Sequence, residues 1–208
     1  MVLLVVGLAT ASLALPGAAF GYDGAAASTW AQNHWQKGAC SATGSYPCFD
    51  TDCANFVSFA MSSGGGYDEE FGNGDELNPS LWFSNKNGLN IWSISRTWSL
   101  VPRLYDYLIA YDEPGGYLLG YANGTATYSY TGLAVGDLLF WDWEGNGTYT
   151  HVNMKTKVGK DPTFNPNQIA DQVTQHTPDR LNQFWSLYEH NQQRNLTKIK
   201  LVGISASN

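Results

Sequence analysis

Three residue types able to support nucleophilic catalysis occur here in a usable order: Cys53, directly after Asp52, and the distant His151 and His176. Asp52-Cys53 precedes an apolar-periodic stretch, so Asp52 is placed to cap a helix by accepting hydrogen bonds from first-turn N–H groups. Cys53 then occupies the first turn, where orphan N–H groups and the positive end of the helix dipole favour a thiolate. Asp52 opposes this, because a neighbouring carboxylate disfavours a second negative charge, and an imidazolium partner is therefore required. His151 begins a stretch of alternating pattern after a tight turn, and His176 ends the next one. Ends of adjacent strands come together readily, which is the geometry that a nucleophile, a base and an orienting group need. Asp171, on the same stretch as His176, competes for the orienting role. Without catalysis, Cys53 is a buried helix-start thiol, His151 a surface strand residue and His176 a cap for the turn Thr177-Pro178-Asp179.

The elements that must position these groups change character midway along the chain. A helix is expected from about 25 to 36, with Ala27, Trp30, Ala31 and Trp35 on one face and Gly38 stopping it. A second runs from about 53 to 63, with Gly64, Gly65 and Gly66 ending it in a left-handed turn. Asn55 and Ser58 on this helix are placed to hydrogen-bond to neighbouring loops. Residues 64–96 are rich in Gly, Asn and Ser and read as ordered but irregular, with Trp82, Trp92 and Trp98 available to line a groove. A third helix is expected from about 100 to 110, capped by Ser99. Beyond it the period drops to two. Segments 138–143, 150–158, 169–176 and 196–204 read as strands, with Glu144 to Gly147 as a turn. Helices followed by an antiparallel meander give an α+β fold class.

The 208 residues carry a formal charge of −7, which argues against a nucleic-acid or anionic-membrane partner. Eight Trp, 12 Tyr and nine Phe supply ample core and exclude a mainly disordered chain. Basic residues concentrate after residue 154 at alternating positions, which reads as a solvated face. No metal-ligand spacing, P-loop or dinucleotide fingerprint occurs, so no cofactor and no metal are expected.

Val2 to Leu15 is an apolar run too short to span a bilayer, and Pro16, Gly17, Ala18 and Ala19 follow it. This reads as a secretory signal peptide over 1–21, although no Lys or Arg precedes Leu15. The reading makes 22–208 a single mature domain, secreted, without stable membrane insertion, and monomeric. Export leaves an odd cysteine count in an oxidising compartment. Cys40 and Cys48 bracket a turn-forming loop and are paired as a disulfide, leaving Cys53 as the free thiol. Three buried thiols are the alternative.

The segment DCANFVSFAMSSGG at 52–65 closely resembles the opening signature of the putative amidase domain family. Further pieces follow in the family's order. SRTWSLVPRLYDYL at 95–108 looks like its Trp-containing helix, and Gly136-Asp137 before Leu138 to Trp141 looks like its GD-plus-strand element. His151 matches its strand-borne histidine, and QHTPDRLN at 175–182 its HT motif. The resemblance covers residues 25 to 204. It implies a papain-like fold of the NlpC and CHAP kind, with N-terminal helices packed on a small antiparallel β-sheet. It also implies Cys53 as nucleophile, His151 as general base and acid, and His176 as orienter, with Asp52 in support. The implied reaction is hydrolysis of a C–N amide bond through a thioester, with peptide or amide substrates such as bacterial cell-wall peptidoglycan. Asn153 and Lys155 stand where the family carries apolar residues, which points to an edge or wet strand. The alternatives are acyl transfer to an amine and a non-catalytic glycan- or protein-binding module on the same fold.

Overall fold

A computed structural model describes residues 21–38, 46–111, 115–127, 129–161 and 165–205. The expected signal peptide and the Cys40 end of the expected disulfide lie outside the described residues. Helix α1 (Gly24–Asn33) starts one residue before its expected position, because Asp23 caps it by accepting a hydrogen bond from the Ala26 N–H at 2.9 Å. Helix α2 (Cys53–Phe59) runs into a wider π-helical turn, Ala60–Gly64, marked by the Gly65 N–H bonding to the Ala60 carbonyl.

The expected left-handed end at Gly64 and Gly65 needs correcting. Gly65 is right-handed, and Gly66, at φ 68°, takes the left-handed conformation. The first two glycines serve close packing instead. A Cβ at Gly64 would lie 2.5 Å from Trp30 Cβ, and one at Gly65 would lie 2.5 Å from the Tyr22 ring.

The segment expected to be irregular contains a small hairpin, β1 (Ser84–Lys86) and β2 (Trp92–Ile94). The third expected helix is two pieces, α3 (Arg96–Ser99) and α4 (Val101–Asp106), the latter extended by a π turn through Tyr111. Ser95, not Ser99, makes the side-chain cap, accepting from the Trp98 N–H.

Six antiparallel strands form the main sheet: β3 (Gly116–Asn123), β4 (Leu138–Asp142), β5 (His151–Asp161), β6 (Asn165–Gln175), β7 (Arg180–Phe184) and β8 (Lys198–Ile204). Their order is β3-β8-β4-β5-β6-β7. The fold is thus α+β. Alternation along the strands gives the sheet two apolar faces. Leu138, Phe140, Val152, Met154 and Val202 meet the helices at Phe56, Val57, Met61, Trp98 and Leu104. Leu139, Trp141, Val173, Ile199 and Leu201 face the other way, onto Leu133, Trp185 and Leu187.

Strand β5 is neither an edge nor wet, since it pairs with β4 on one side and β6 on the other. Asn153 and Lys155 are buried on its outer face and hold polar partners there. Lys155 Nζ lies 2.7 Å from Asp171 Oδ1 and donates to the Leu133 carbonyl at 2.6 Å. Lys155 is therefore not part of a solvated face. Strands β3 and β7 escape a period-two reading, because β3 is a bulged edge strand and β7 is only five polar-rich residues. Among the described residues no helix is long and apolar enough to cross a membrane.

Candidate active site

The motif on α2 assembles a polar cluster around the start of the helix. Asp52 is buried, and its side chain makes no hydrogen bond as a helix cap, contrary to the sequence expectation. Its Oδ1 accepts from the Phe49 N–H and Asn55 Nδ2, both at 2.9 Å, and its Oδ2 meets His176 Nδ1 at 2.7 Å. Asn55 also donates to the Pro47 carbonyl and accepts from Trp98 Nε1. Ser58 donates to the Trp98 carbonyl and accepts from Trp82 Nε1. The alternating pull of this motif on two loops fixes the backbone from which Cys53 projects.

His176 does not orient His151. Its Nε2 lies 2.8 Å from the His34 carbonyl at the end of α1, while Nδ1 meets Asp52. Both partners are acceptors, so the ring donates from both nitrogens, which only the imidazolium form can do. Phe56 stacks on it at 4.1 Å between centroids. This cation joins α1, α2 and the end of β6, and it sits favourably at the negative end of a helix. Asp171 is no orienter either. Its Oδ1 pairs with Lys155, and its Oδ2 accepts from the Thr131 N–H and hydroxyl, both at 2.6 Å.

Cys53 is a free cysteine, buried at the first position of α2. Its Sγ lies 4.0 Å from the Thr150 carbonyl, and the backbone N–H groups of Val152, Ala54 and Cys53 itself act on the sulfur. Thr150 and Val152 flank His151, so the thiol rests against the backbone on both sides of that histidine. Burial nevertheless pushes the thiol pKa up; the three N–H groups pull it down, and the Asp52 charge adds to the rise. The thiolate expected from the helix start is therefore not the resting form.

His151 is buried, and that burial lowers its pKa to about 4, making the ring neutral near pH 7. The Gln175 side chain favours the protonated form, and the Arg180 charge opposes it. His151 Nε2 makes no hydrogen bond, and among the described residues none joins the ring to Cys53. Gln175 is itself fixed, accepting from Asn153 Nδ2 and donating to the Pro178 carbonyl, both at 3.1 Å. Its amide lies near enough to act on His151, where the sequence reading had put His176, while its own hydrogen bonds go to Asn153 and Pro178.

Two clefts lie next to this pair, lined by its neighbours and not by Cys53 or His151 themselves. The larger, about 390 Å³, is lined by Trp143, Gln175, Pro178, Arg180 and neighbours on the segment 187–193. The smaller, about 180 Å³, is lined by Asp142, Trp143, Glu144, Asn146, Thr148 and Thr150. Gln175 of the first acts on His151, and Thr150 of the second touches the Cys53 thiol. Trp143 belongs to both, and its ring lies 5.7 Å from that of His151. The groove aromatics proposed from sequence do not serve this purpose, for Trp82 and Trp98 are fully buried and Trp92 packs on the core.

A family model described as a putative amidase domain matches residues 21–199. The chain belongs to that family. No curated protein and no solved structure matches it. Membership places this amidase domain, at the level of reaction class, among hydrolases acting on amides. The matched span contains every polar group of the site, from Asp52 to Arg180. Among the described residues the amidase domain has no group of three or more His, Cys, Asp or Glu arranged to hold a metal.

Proposed function

We propose that the amidase domain is a cysteine hydrolase that opens a peptide amide bond through a thioester on Cys53. The observation that carries this is the packing of a free helix-start thiol against the backbone on both sides of His151. Because thiol and imidazole are both neutral at rest, the proton moves during attack. As the Cys53 sulfur bonds to the substrate carbonyl carbon, its proton passes to His151. The carbonyl oxygen becomes an oxyanion facing the Cys53 N–H at the start of α2. His151 gives the proton to the leaving amine as the C–N bond breaks. Water then adds to the thioester, its proton going to His151 and back to the departing sulfur, which releases the acid. Gln175 acts as a positioning residue for His151.

The same reading extends to a relation with papain-like hydrolases of the NlpC type, to export after removal of 1–21, and to cell-wall peptides as substrates. The first and third rest on the resemblance of the DCANFVSFAMSSGG segment and the residues that follow it, and export rests on the apolar run from Val2 to Leu15 with the small residues after it. The binding-module reading draws on one observation, the missing hydrogen bond between Cys53 and His151. Acid quenching during turnover of a peptide p-nitroanilide, followed by intact mass and peptide mapping, separates the two. An adduct of the acyl mass on Cys53 is the expected result. Bound peptide with neither adduct nor released aniline leaves the binding module.

The acid limb of kcat/KM tests the neutral resting pair. His151 is a competent base only when unprotonated, and its lowered pKa keeps it so down to about pH 4. The midpoint is therefore expected well below 6.5, with the rate lost as pH falls through that lower value. Gln175→Ala removes a group that favours the imidazolium, so the midpoint should fall further as kcat drops. A midpoint near 6.5, unmoved by Gln175→Ala, excludes the arrangement.

A further inference from the structure

The larger cleft contains a cation that the proposed reaction does not use. Arg180 begins β7, opposite Gln175 of β6, and its half-buried side chain lines the cleft beside Gln175 and Trp143. Among the described residues its guanidinium makes neither an ion pair nor a hydrogen bond. The neighbouring carboxylate, Asp179, is engaged elsewhere, its Oδ2 accepting the Lys37 N–H at 2.7 Å. The other buried cations show what the interior normally requires. Lys155 has Asp171, and His176 has Asp52, each at 2.7 Å. Arg180 has lost part of its water without gaining a counter-charge, which is unfavourable unless something else supplies one.

We propose that Arg180 is the receptor for a carboxylate of the substrate, so that the cleft selects amides carrying an acidic group close to the scissile bond. The inference rests on the reading of Cys53 and His151 as the reacting pair. A guanidinium presents parallel N–H donors that match a planar carboxylate in two-point contact, and it stays charged in a partly dry site. The distance is short, because Gln175 borders both the cleft and His151, and the Arg180 charge is felt at the His151 ring. The side-chain amides of Gln192 and Gln193 offer donors and acceptors to the adjoining peptide without adding negative charge. A chain of net charge −7 repels anions in general, so accepting one calls for a local cation. The carboxylate has two sources, an acidic side chain or a free C-terminus.

The test uses the full chain and matched probes. One pair of peptide p-nitroanilides differs only by Glu against Gln beside the scissile bond; one pair of unlabelled peptides differs only by a free against an amidated C-terminus. For one of the pairs, kcat/KM is expected to favour the acid by about tenfold to a hundredfold, the range of a charge-assisted contact. Arg180→Gln should bring that ratio close to one, and Arg180→Lys should keep part of it. In parallel, the same acid and amide peptides are titrated against Cys53→Ala protein, reading tryptophan fluorescence. If no peptide is turned over yet the acid member binds with Arg180 dependence, the hydrolase reading fails and the carboxylate site stands. Equal handling of acid and amide members in both rate and binding, or a preference untouched by Arg180→Gln, overturns it.

Discussion

Cys53→Ala protein is expected to fold as the parent does and to lose at least about 10⁴-fold in kcat on a peptide amide, the scale seen when a nucleophile is removed from a unit of cooperating groups. The sulfur is a small part of a helix start whose geometry depends on Asp52, Asn55 and Ser58, and all three remain in the variant. Thermal unfolding should therefore change little. Cys53→Ser should be almost as inactive, because a neutral His151 faces a hydroxyl far less acidic than a thiol. His151→Ala should cost about as much, and the double variant should lose no more than the worse single one, since base and nucleophile act on one proton. Rates measured by release of p-nitroaniline, with circular dichroism as the folding control, decide this. Activity within tenfold of the parent in Cys53→Ala removes the thiol from the reaction.

Alkylation gives a second view of the same pair. The helix-start position alone favours a thiolate, and that would label quickly with iodoacetamide at about pH 6. Burial reverses the balance, so labelling in the resting protein should be slow there and rise only above the ordinary thiol range. Sequence reveals the N–H groups at a helix start, but it does not show that a strand closes over the sulfur and excludes water.

The same limit explains which parts of the site were legible. Motif order singled out Cys53 and His151, whose segments the structure brings into contact, and alternation located most of the strands that hold them. Register was not available. In the sheet Met154 pairs with Thr174, which sets Gln175 alongside Asn153, and the hydrogen bond between those side chains follows. His176 is one residue further on, and in a strand one residue is a change of face. It therefore turns toward Asp52, Phe56 and α1 while Gln175 turns toward His151. A neutral amide next to a histidine gives no chemical signal in a sequence, so the histidine drew the orienting role. Arg180 was masked in a similar way. It read as one more charge on a solvated face, and only the fold puts it in a cleft without a partner among the described residues.

The Asp52–His176 pair carries the largest expected effect on stability. Both side chains are fully buried, and each is held by hydrogen bonds beyond the 2.7 Å contact between them. Removing one partner leaves a charge without compensation in a site that water does not reach, a loss of about 3–5 kcal/mol. Asp52→Ala and His176→Ala should each unfold at markedly lower urea concentration, read by tryptophan fluorescence. Asp52→Asn should be milder, because the imidazole can give up one proton, keep Nε2–H on the His34 carbonyl, and accept at Nδ1 from the new amide. The double variant Asp52→Ala/His176→Ala should cost less than the sum of the singles by about 1–3 kcal/mol, since neither charge then stands alone. Strict additivity would mean that the two groups act separately on the fold. Coupling would identify the histidine of the HT motif as the clamp that holds the Cys53 helix start against α1 and β6, and so as the reason a residue remote from the proton transfer belongs to the signature.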